Sequence, residues 1–426
     1  MKVFLVGAGG VGEAIVTLIN KYDSKGEWLK RLVVGDFDED RAVEVAKQTN
    51  DSDRFIPVQI DAAQTNDIIK IAKKYDVDLI LNACDPRFNM PIFNAAFEAN
   101  RHYIDMAMSL SEAHATEPYS KIHVKLGDQQ YSRHADWQKK GNLAIVGSGV
   151  EPGMVNVFAR YAQDHLFDEI HELHVRDGGN LSIEGREYVF GFSIWTTIEE
   201  CLNPPIVWEK DKGWYTTEPF SEPEIFELPE GIGPVEMVNV EHEEVIMFPR
   251  YFSDKGLKKS TFKFGLGRDF IQAMKVLQAF GLHKTDPISV GKAKVSPRDV
   301  VAAAAPDPAQ IGNMMTGKTA AGVWIKGIKN GKQRSVYIYQ VADNIECMKR
   351  LGSQAVVAQT AFNPVIMMEL LAKKLWTGNG VIGPEYFPAE PFMERMEKYG
   401  FKPGMIEKDS EFRSSQDEMA LKVGFK

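Results

Sequence analysis

The stretch from residue 2 to residue 20 limits the fold more than any other. The apolar run Lys2 to Val6 ends in Gly7-Ala8-Gly9-Gly10-Val11-Gly12, and Glu13 to Asn20 then carries Ala14, Ile15, Leu18 and Ile19 at helical spacing. Strand, glycine turn and helix in that order assign each glycine a task. Gly7 makes the tight turn, Gly9 lets backbone approach a pyrophosphate, and Gly12 lets the helix pack closely on the strand. Phosphate then rests on the helix N-terminus, which adds Gly10 and Val11 to the cofactor-binding set. A second apolar run, Leu32 to Val34, closes on Gly35-Asp36, which puts the acid 24 residues beyond Gly12. A carboxylate there accepts hydrogen bonds from ribose hydroxyls and repels a 2′-phosphate, so NAD is favoured over NADP. Asp36 or Asp38 also reads as a cap for the helix that starts at Glu39, and Arg41 carries the sign a phosphate attracts.

The rhythm continues with a helix over 39–48, a strand over 55–60, a helix over 66–74, a strand over 79–83, a helix over 90–99 and a strand over 102–104. A helix before Gly141 and a strand over 144–147 follow. Such alternation builds a parallel sheet with helices on both faces. Ligands bind such sheets outside the strand carboxyl ends, which places Ala83, Cys84 and Asp85 beside the nicotinamide half of the crevice. Asp61, after the third strand, is placed near the adenine or serves as a turn residue.

Beyond Gly147-Ser148-Gly149-Val150-Glu151-Pro152-Gly153 and a helix from Met154 to His165, the period shifts to two. Strands are predicted over 171–175, 235–239, 245–248, 260–264 and 336–341, in keeping with a mostly antiparallel sheet. A helix over 269–280 between them presents Ile271, Met274, Leu277 and Phe280 as a core stripe, and 353–374 reads as a long apolar helix broken at Asn363-Pro364.

The balance of 50 Lys+Arg against 59 Asp+Glu is dispersed along the chain, with no basic stretch suited to a phosphate backbone, so no nucleic-acid partner is expected. Cys84, Cys201 and Cys347 form no CxxC pair, which argues against a disulfide framework and for a reducing, cytoplasmic setting. No run of about 18 uninterrupted apolar residues offers a bilayer span. The nine histidines show no HExxH pattern, so no metal is expected.

Three groups are candidates for carrying protons. Glu151 lies just beyond a strand end, Asp177 precedes Gly178-Gly179, and His242 sits in Glu241-His242-Glu243-Glu244 with an ordinary pKa near 6.5. Each has a plainer role as a turn residue, a backbone acceptor or a hydrogen-bonded strand residue. For substrate carboxylates the guanidinium fork nominates Arg87, Arg186 and Arg250, with Lys263 as a less directional cation and Asp85 alongside them as a substrate contact. Cys84 has no evident base beside it and reads as a small pocket-lining residue.

Taken together, GAGGVG (7–12), VVGDFDEDRA (33–42), LNACDPRFNMPIFNAAFEANRHYIDMAMS (81–109), GSGVEPGMVNVFARYA (147–162), FDEIHELHVRDGGNL (167–181), the HEE of 242–244, TFKFGLG (261–267) and GVIGPEYF (380–387) resemble the saccharopine dehydrogenase family. The resemblance implies an α/β fold: an N-terminal doubly wound Rossmann sheet completed by a returning C-terminal helix, with an inserted α+β domain. The boundaries expected are 1–148 plus 353–390 for the dinucleotide domain, 149–352 for the substrate and dimerisation domain, and 391–426 for a charged surface segment. It also implies oxidation or reduction at a carbon–nitrogen bond of an amino acid derivative. Saccharopine is the first expectation, and lysine 6-dehydrogenase or carboxynorspermidine synthase chemistry the alternative. A homodimer is expected by family analogy. An NAD(H)-binding sensor or scaffold without turnover is the reading from outside enzymology.

Overall fold

The computed structural model describes residues 1–186 and 191–408. The chain forms two compact units: Met1–Glu112, Val124–Tyr161 and Cys347–Pro403 make the first, and Ala113–His123, Ala162–Glu346 and the segment from Gly404 make the second.

The first unit is built on a seven-stranded sheet among the described residues. Its order is Gly380–Ile382, Leu143–Ile145, His102–Ile104, Leu79–Asn82, Lys2–Val6, Arg31–Asp36, Phe55–Gln59, and every pairing in it is parallel. The strands are apolar runs because both faces are covered; Val3, Phe4, Leu5 and Leu79, Ile80, Leu81 are fully buried. The chain reverses direction across the sheet between Lys2–Val6 and Leu79–Asn82, the switch point where such sheets bind ligands. The expected strand and helix positions hold to within three residues throughout this region.

Helix Ala355–Ala372 belongs to this unit, and it runs through Asn363-Pro364 without a break. Pro364 withdraws the N–H that would reach the carbonyl of Thr360. The side-chain amide of Asn363 offsets the loss, donating to the carbonyls of Gln359 at 2.8 Å and Thr360 at 3.4 Å. The helix is long and apolar enough to cross a membrane by composition, but 78% of it is buried within the fold, as befits a core helix.

The second unit carries a nine-stranded mixed sheet among the described residues, with the central run Gly213–Thr216, Ile206–Glu209, Lys259–Gly265, Glu169–Gly179, Lys318–Lys329, Lys332–Asp343, Pro403–Glu407. Glu169–Gly179 and Lys259–Gly265 are parallel neighbours, whereas Ile206–Glu209 pairs antiparallel with Gly213–Thr216 and Lys259–Gly265, and Lys318–Lys329 pairs antiparallel with Glu169–Gly179 and Lys332–Asp343. Trp324 and Tyr337 of the long strands cluster with Phe226 and Leu228 of Glu224–Leu228 and Met237 of Gly233–Asn239.

Three expectations need correction here. Val245 to Phe248 is not a strand but part of the helix Glu244–Phe252, with Val245, Ile246, Met247 and Phe248 all buried. On helix Arg268–Ala279 only Met274 of the expected stripe is fully buried, and Phe280 is 77% exposed. The segment after 390 is not merely a surface tail: helix Glu390–Lys398 buries Phe392 and Met396, and Pro403–Glu407 joins the second sheet. Residues 409–426 of that segment lie outside the described residues.

Candidate active site

The glycine loop divides its work as the spacing predicts. Gly7 has φ +105°, and a Cβ there would lie 2.8 Å from the carbonyl oxygen of Ala83; at Gly12 a Cβ would lie 2.1 Å from the carbonyl oxygen of Gly7. Neither position admits a side chain. A Cβ on Gly9 meets nothing within 4 Å, so this glycine is not required by the protein's own packing. Gly9 is the N-cap of helix Gly10–Tyr22 and no side chain caps the helix, which leaves the N-terminal N–H groups of Gly10, Val11 and their neighbours directed at a partner of negative charge. These features suit a dinucleotide pyrophosphate.

Asp36 ends its strand beside this loop, where its carboxylate accepts from the N–H of Ala8 at 2.7 Å and of Asp38 at 3.0 Å. The cap of the following helix is Asp38, whose side chain accepts from Asp40 N–H. Arg41 donates to the Ala8 carbonyl and pairs with Glu13 and Glu44. Asp61 accepts from Ala63 N–H and the Gln64 amide, which is turn geometry. Ala83 donates its N–H to the carbonyl of Val6, and the Cys84 thiol lies 3.4 Å from that same oxygen. Burial, with Asp85 and Asp36 adding to it, pushes the Cys84 thiol far up, so it stays protonated and has no nucleophilic character.

Asp85 and Arg87, expected to contact substrate, bind each other: Asp85 caps the short turn Pro86–Phe88 and accepts from the Arg87 guanidinium at 2.6 and 2.9 Å. Glu151 lies in the turn before helix Met154–Tyr161, and the neighbouring loop is tied to the sheet by Asp105, whose carboxylate accepts from Gly147 N–H and the Gln130 amide. Asn156 accepts from Gly153 N–H and donates to Glu385.

In the second unit Asp177 is not at a loop but inside strand Glu169–Gly179, in register with Phe264 and Ala321, and buried. The glycines after it serve strand packing, since a Cβ on Gly179 would lie 2.3 Å from the carbonyl oxygen of Lys318. Side chains alternate across the sheet, which separates two charged sets. Arg176 and Lys263 are partners in register on one face, and both bind Glu224, at 2.5 and 2.9 Å. Lys263 also donates to the Glu222 carbonyl. Burial disfavours ionised Glu224, but Arg176 and Lys263 outweigh it and hold the carboxyl at about 2. Lys263 is thereby a structural cation. Arg186 and Arg250 are both exposed.

The opposite face carries Val175, Asp177, Phe262 and Phe264, and here the His242 ring stacks on Phe262 with centroids 3.8 Å apart and planes 10° from parallel. His242 Nδ1 bonds Glu244 at 2.7 Å and lies 3.4 Å from Glu243. Burial works against the imidazolium, but Glu244, then Glu243 and Glu200, raise it to about 10. The ordinary value assumed from the sequence is therefore corrected upward: His242 is charged at neutral pH and is not a resting base. The three side chains His242, Glu243 and Glu244 bring possible ligand atoms within 4.8 Å of one another, a grouping that no HExxH spacing announced.

Glu200 is the residue that sequence reasoning missed. It sits in helix Ile194–Leu202, and a backbone bond from Glu241 N–H to its carbonyl brings the two segments together. Desolvation, with Glu243, Glu244 and Glu241, pushes its carboxyl up to about 8 despite His242. Beside it Asn203 donates to Glu199 and Glu241, and Arg298 pairs with Glu199.

The model of the saccharopine dehydrogenase NADP binding domain matches residues 3–145, and that of the saccharopine dehydrogenase C-terminal domain matches residues 149–401. A carboxynorspermidine synthase of Vibrio alginolyticus is 28% identical over 407 residues, covering 94% of this chain and 95% of that protein. A carboxyaminopropylagmatine dehydrogenase of Synechocystis is 26% identical, covering 94% and 96%. Among solved structures, saccharopine dehydrogenase (L-Glu forming) of Saccharomyces cerevisiae superposes with a TM-score of 0.66 at 13% identity, covering 96% of this chain and all of that one; the likeness is one of fold.

Proposed function

The chain belongs to the saccharopine dehydrogenase family, and from that premise we propose that it is a nicotinamide-dependent oxidoreductase acting on the CH–NH group of a carboxylated polyamine-type secondary amine. The observation that carries the redox reading is the loop Gly7–Gly12, sterically closed at Gly7 and Gly12 and open at Gly9, at the switch point of a parallel sheet. The substrate reading is supported by relatives that span nearly the whole chain and whose names share a carboxyl group on a polyamine or guanidine-bearing amine. Saccharopine, expected first from the sequence, has three carboxylates and asks for cations. Arg87 and Lys263 are instead held by Asp85 and Glu224.

The nicotinamide, when bound, supplies or accepts the hydride. The protein's share is to orient and to manage protons. The helix N-terminus at Gly10 and Val11 holds the pyrophosphate, and Asp36 takes the ribose hydroxyls, which favours NAD; Arg41 is already engaged by Glu13 and Glu44. Glu151, in the unit that carries the glycine loop, is assigned the proton exchanges that accompany forming and resolving the imine. His242 stays an imidazolium and fixes Glu244.

The test is reductive condensation: purified protein, NADH or NADPH, a short diamine and a carboxylated aldehyde, followed at the nicotinamide absorbance. Consumption that needs both organic substrates is expected. Consumption with lysine and 2-oxoglutarate alone would return the assignment to saccharopine.

A further inference from the structure

We infer that Glu13 sets the choice between NAD and NADP by acting through Arg41: it holds the guanidinium on the carbonyl of Ala8, away from a cofactor 2′-phosphate. This rests on the nicotinamide chemistry proposed above and adds a positioning residue to the role given to Asp36. All the residues concerned belong to the unit that carries the glycine loop.

Ala8 of the glycine loop is gripped on both sides. Its N–H donates to the Asp36 carboxylate at 2.7 Å, and its carbonyl accepts from Arg41 Nε at 3.0 Å. The carboxylate assigned to the ribose hydroxyls and this guanidinium are thus anchored on the same residue. A planar guanidinium fork is the group best shaped to bind phosphate, so on charge alone Arg41 would invite a 2′-phosphate. Its other two nitrogens are turned to protein acids instead. Nη2 pairs with Glu13, and Nη1 lies 2.9 Å from Glu44.

The two acids do not hold Arg41 equally. The Glu44 side chain is 63% exposed and stands three residues along the same helix, an arrangement worth little against solvent. Glu13 and Arg41 are only 29% and 26% exposed, and the second Glu13 oxygen accepts from the Gln48 amide at 2.7 Å, which fixes the carboxylate. Glu13 occupies the first turn of helix Gly10–Tyr22, the end that receives the pyrophosphate, where an uncompensated carboxylate repels the ligand. Arg41 cancels that charge. A plain tie between two helices would account for the Glu13–Arg41 pair, but not for the third bond of Arg41, which goes to the loop.

The experiment is a double-mutant cycle read by fluorescence titration of the full chain with NADH and NADPH, which reports binding without turnover. Wild type is expected to bind NADH more tightly. Glu13→Ala releases the guanidinium and is expected to move the affinity ratio about tenfold toward NADPH, the size of one charge-assisted hydrogen bond. Arg41→Gln loosens Ala8 and is expected to weaken both dinucleotides alike, leaving the ratio within about twofold of wild type. The double variant is expected to lose most of the tenfold shift, because the shift needs the guanidinium. Glu13→Gln keeps a neutral acceptor for Nη2 and is expected to give a smaller shift than Glu13→Ala. Circular dichroism checks that each variant is folded. An unchanged ratio in folded Glu13→Ala, a shift of the same size in the double variant, or tighter binding of NADPH by wild type would overturn the inference and leave the nicotinamide reading standing. Binding of neither dinucleotide by wild type would overturn both.

Discussion

At the scale of single residues, the acidic group around His242 makes a pH prediction whose sign is fixed by the two shifts. The His242 imidazolium is favoured in the fold, with its pKa raised from 6.5 to about 10, so its contribution to stability is complete below pH 6.5 and is lost as pH rises toward 10. Glu200 is raised from 4.5 to about 8, so the unfolded chain ionises first and stability falls over that interval as well. The melting temperature is therefore expected to drop between pH 6.5 and 8, where both effects act. Glu200→Gln is expected to melt higher than wild type at pH 9, by roughly 2–4 °C for each kcal/mol of relieved repulsion. A lower melting point for the variant at that pH would contradict the electrostatic reading. Cofactor choice likewise turns on single residues: Asp36→Ala is expected to narrow the ratio of NADP to NAD KM by about tenfold, and a wild-type preference for NADP would overturn the role given to Asp36. His242 was visible in the sequence because histidine among glutamates is conspicuous, but its protonation was not. That depends first on Glu244 reaching Nδ1 inside a buried site, then on Glu243, and last on Glu200 from some 40 residues away, and a chain reading shows neither the burial nor the contact. The mutual pairing of Asp85 with Arg87 was hidden for the opposite reason, since neighbours two residues apart face each other only in the short turn that Pro86 allows.

At the scale of elements, the glycine loop gives two predictions that separate packing from ligand approach. Gly12→Ala drives a Cβ into the carbonyl of Gly7 and is expected to lower stability and cofactor binding together, by more than 1 kcal/mol. Gly9→Ala meets open space and is expected to leave the melting temperature within about 1 °C while weakening NAD(H) binding roughly tenfold, measured by fluorescence titration. Unchanged binding in the second variant would remove Gly9 from the phosphate site. In the second sheet, Glu224→Gln removes the carboxylate that buried Arg176 and Lys263 share, leaving Lys263 the 4.0 Å contact with Glu222, and is expected to cost about 3–5 kcal/mol in chemical denaturation. Elements whose period matched one buried face were legible, including the whole alternation through Ile145. Val245 to Phe248 was misread because four consecutive apolar residues fit a buried strand and a fully buried helix turn equally well. Pro364 misled in the same way, for a side chain one residue earlier takes over part of the hydrogen bonding that the proline gives up. The Phe280 stripe failed because helical periodicity shows which residues share a face, not what that face meets.

At the scale of the molecule, the sequence pattern already carried two architectures, a parallel sheet first and a mixed one after it, and the return of helix Ala355–Ala372 to the first unit. The finer division was out of its reach: Met154–Tyr161 sides with the first unit, and the chain crosses once more at residues 403 and 404 to add the strand Pro403–Glu407 to the second sheet. Such exchanges are set by which sheet edge lies open, a property of the assembled fold and not of the strand's own residues. The same holds for the reaction, since one family shape serves several carbon–nitrogen chemistries and the side chains presented to the substrate decide among them. The decisive measurement is the two-substrate dependence of NAD(P)H oxidation with a short diamine and a carboxylated aldehyde. Loss of nicotinamide absorbance only when both are present, with a secondary amine as product by mass spectrometry, is the predicted result. No absorbance change with any amine and carbonyl pair, in either direction and with either cofactor, would contradict the assignment of this chain as a carbon–nitrogen oxidoreductase.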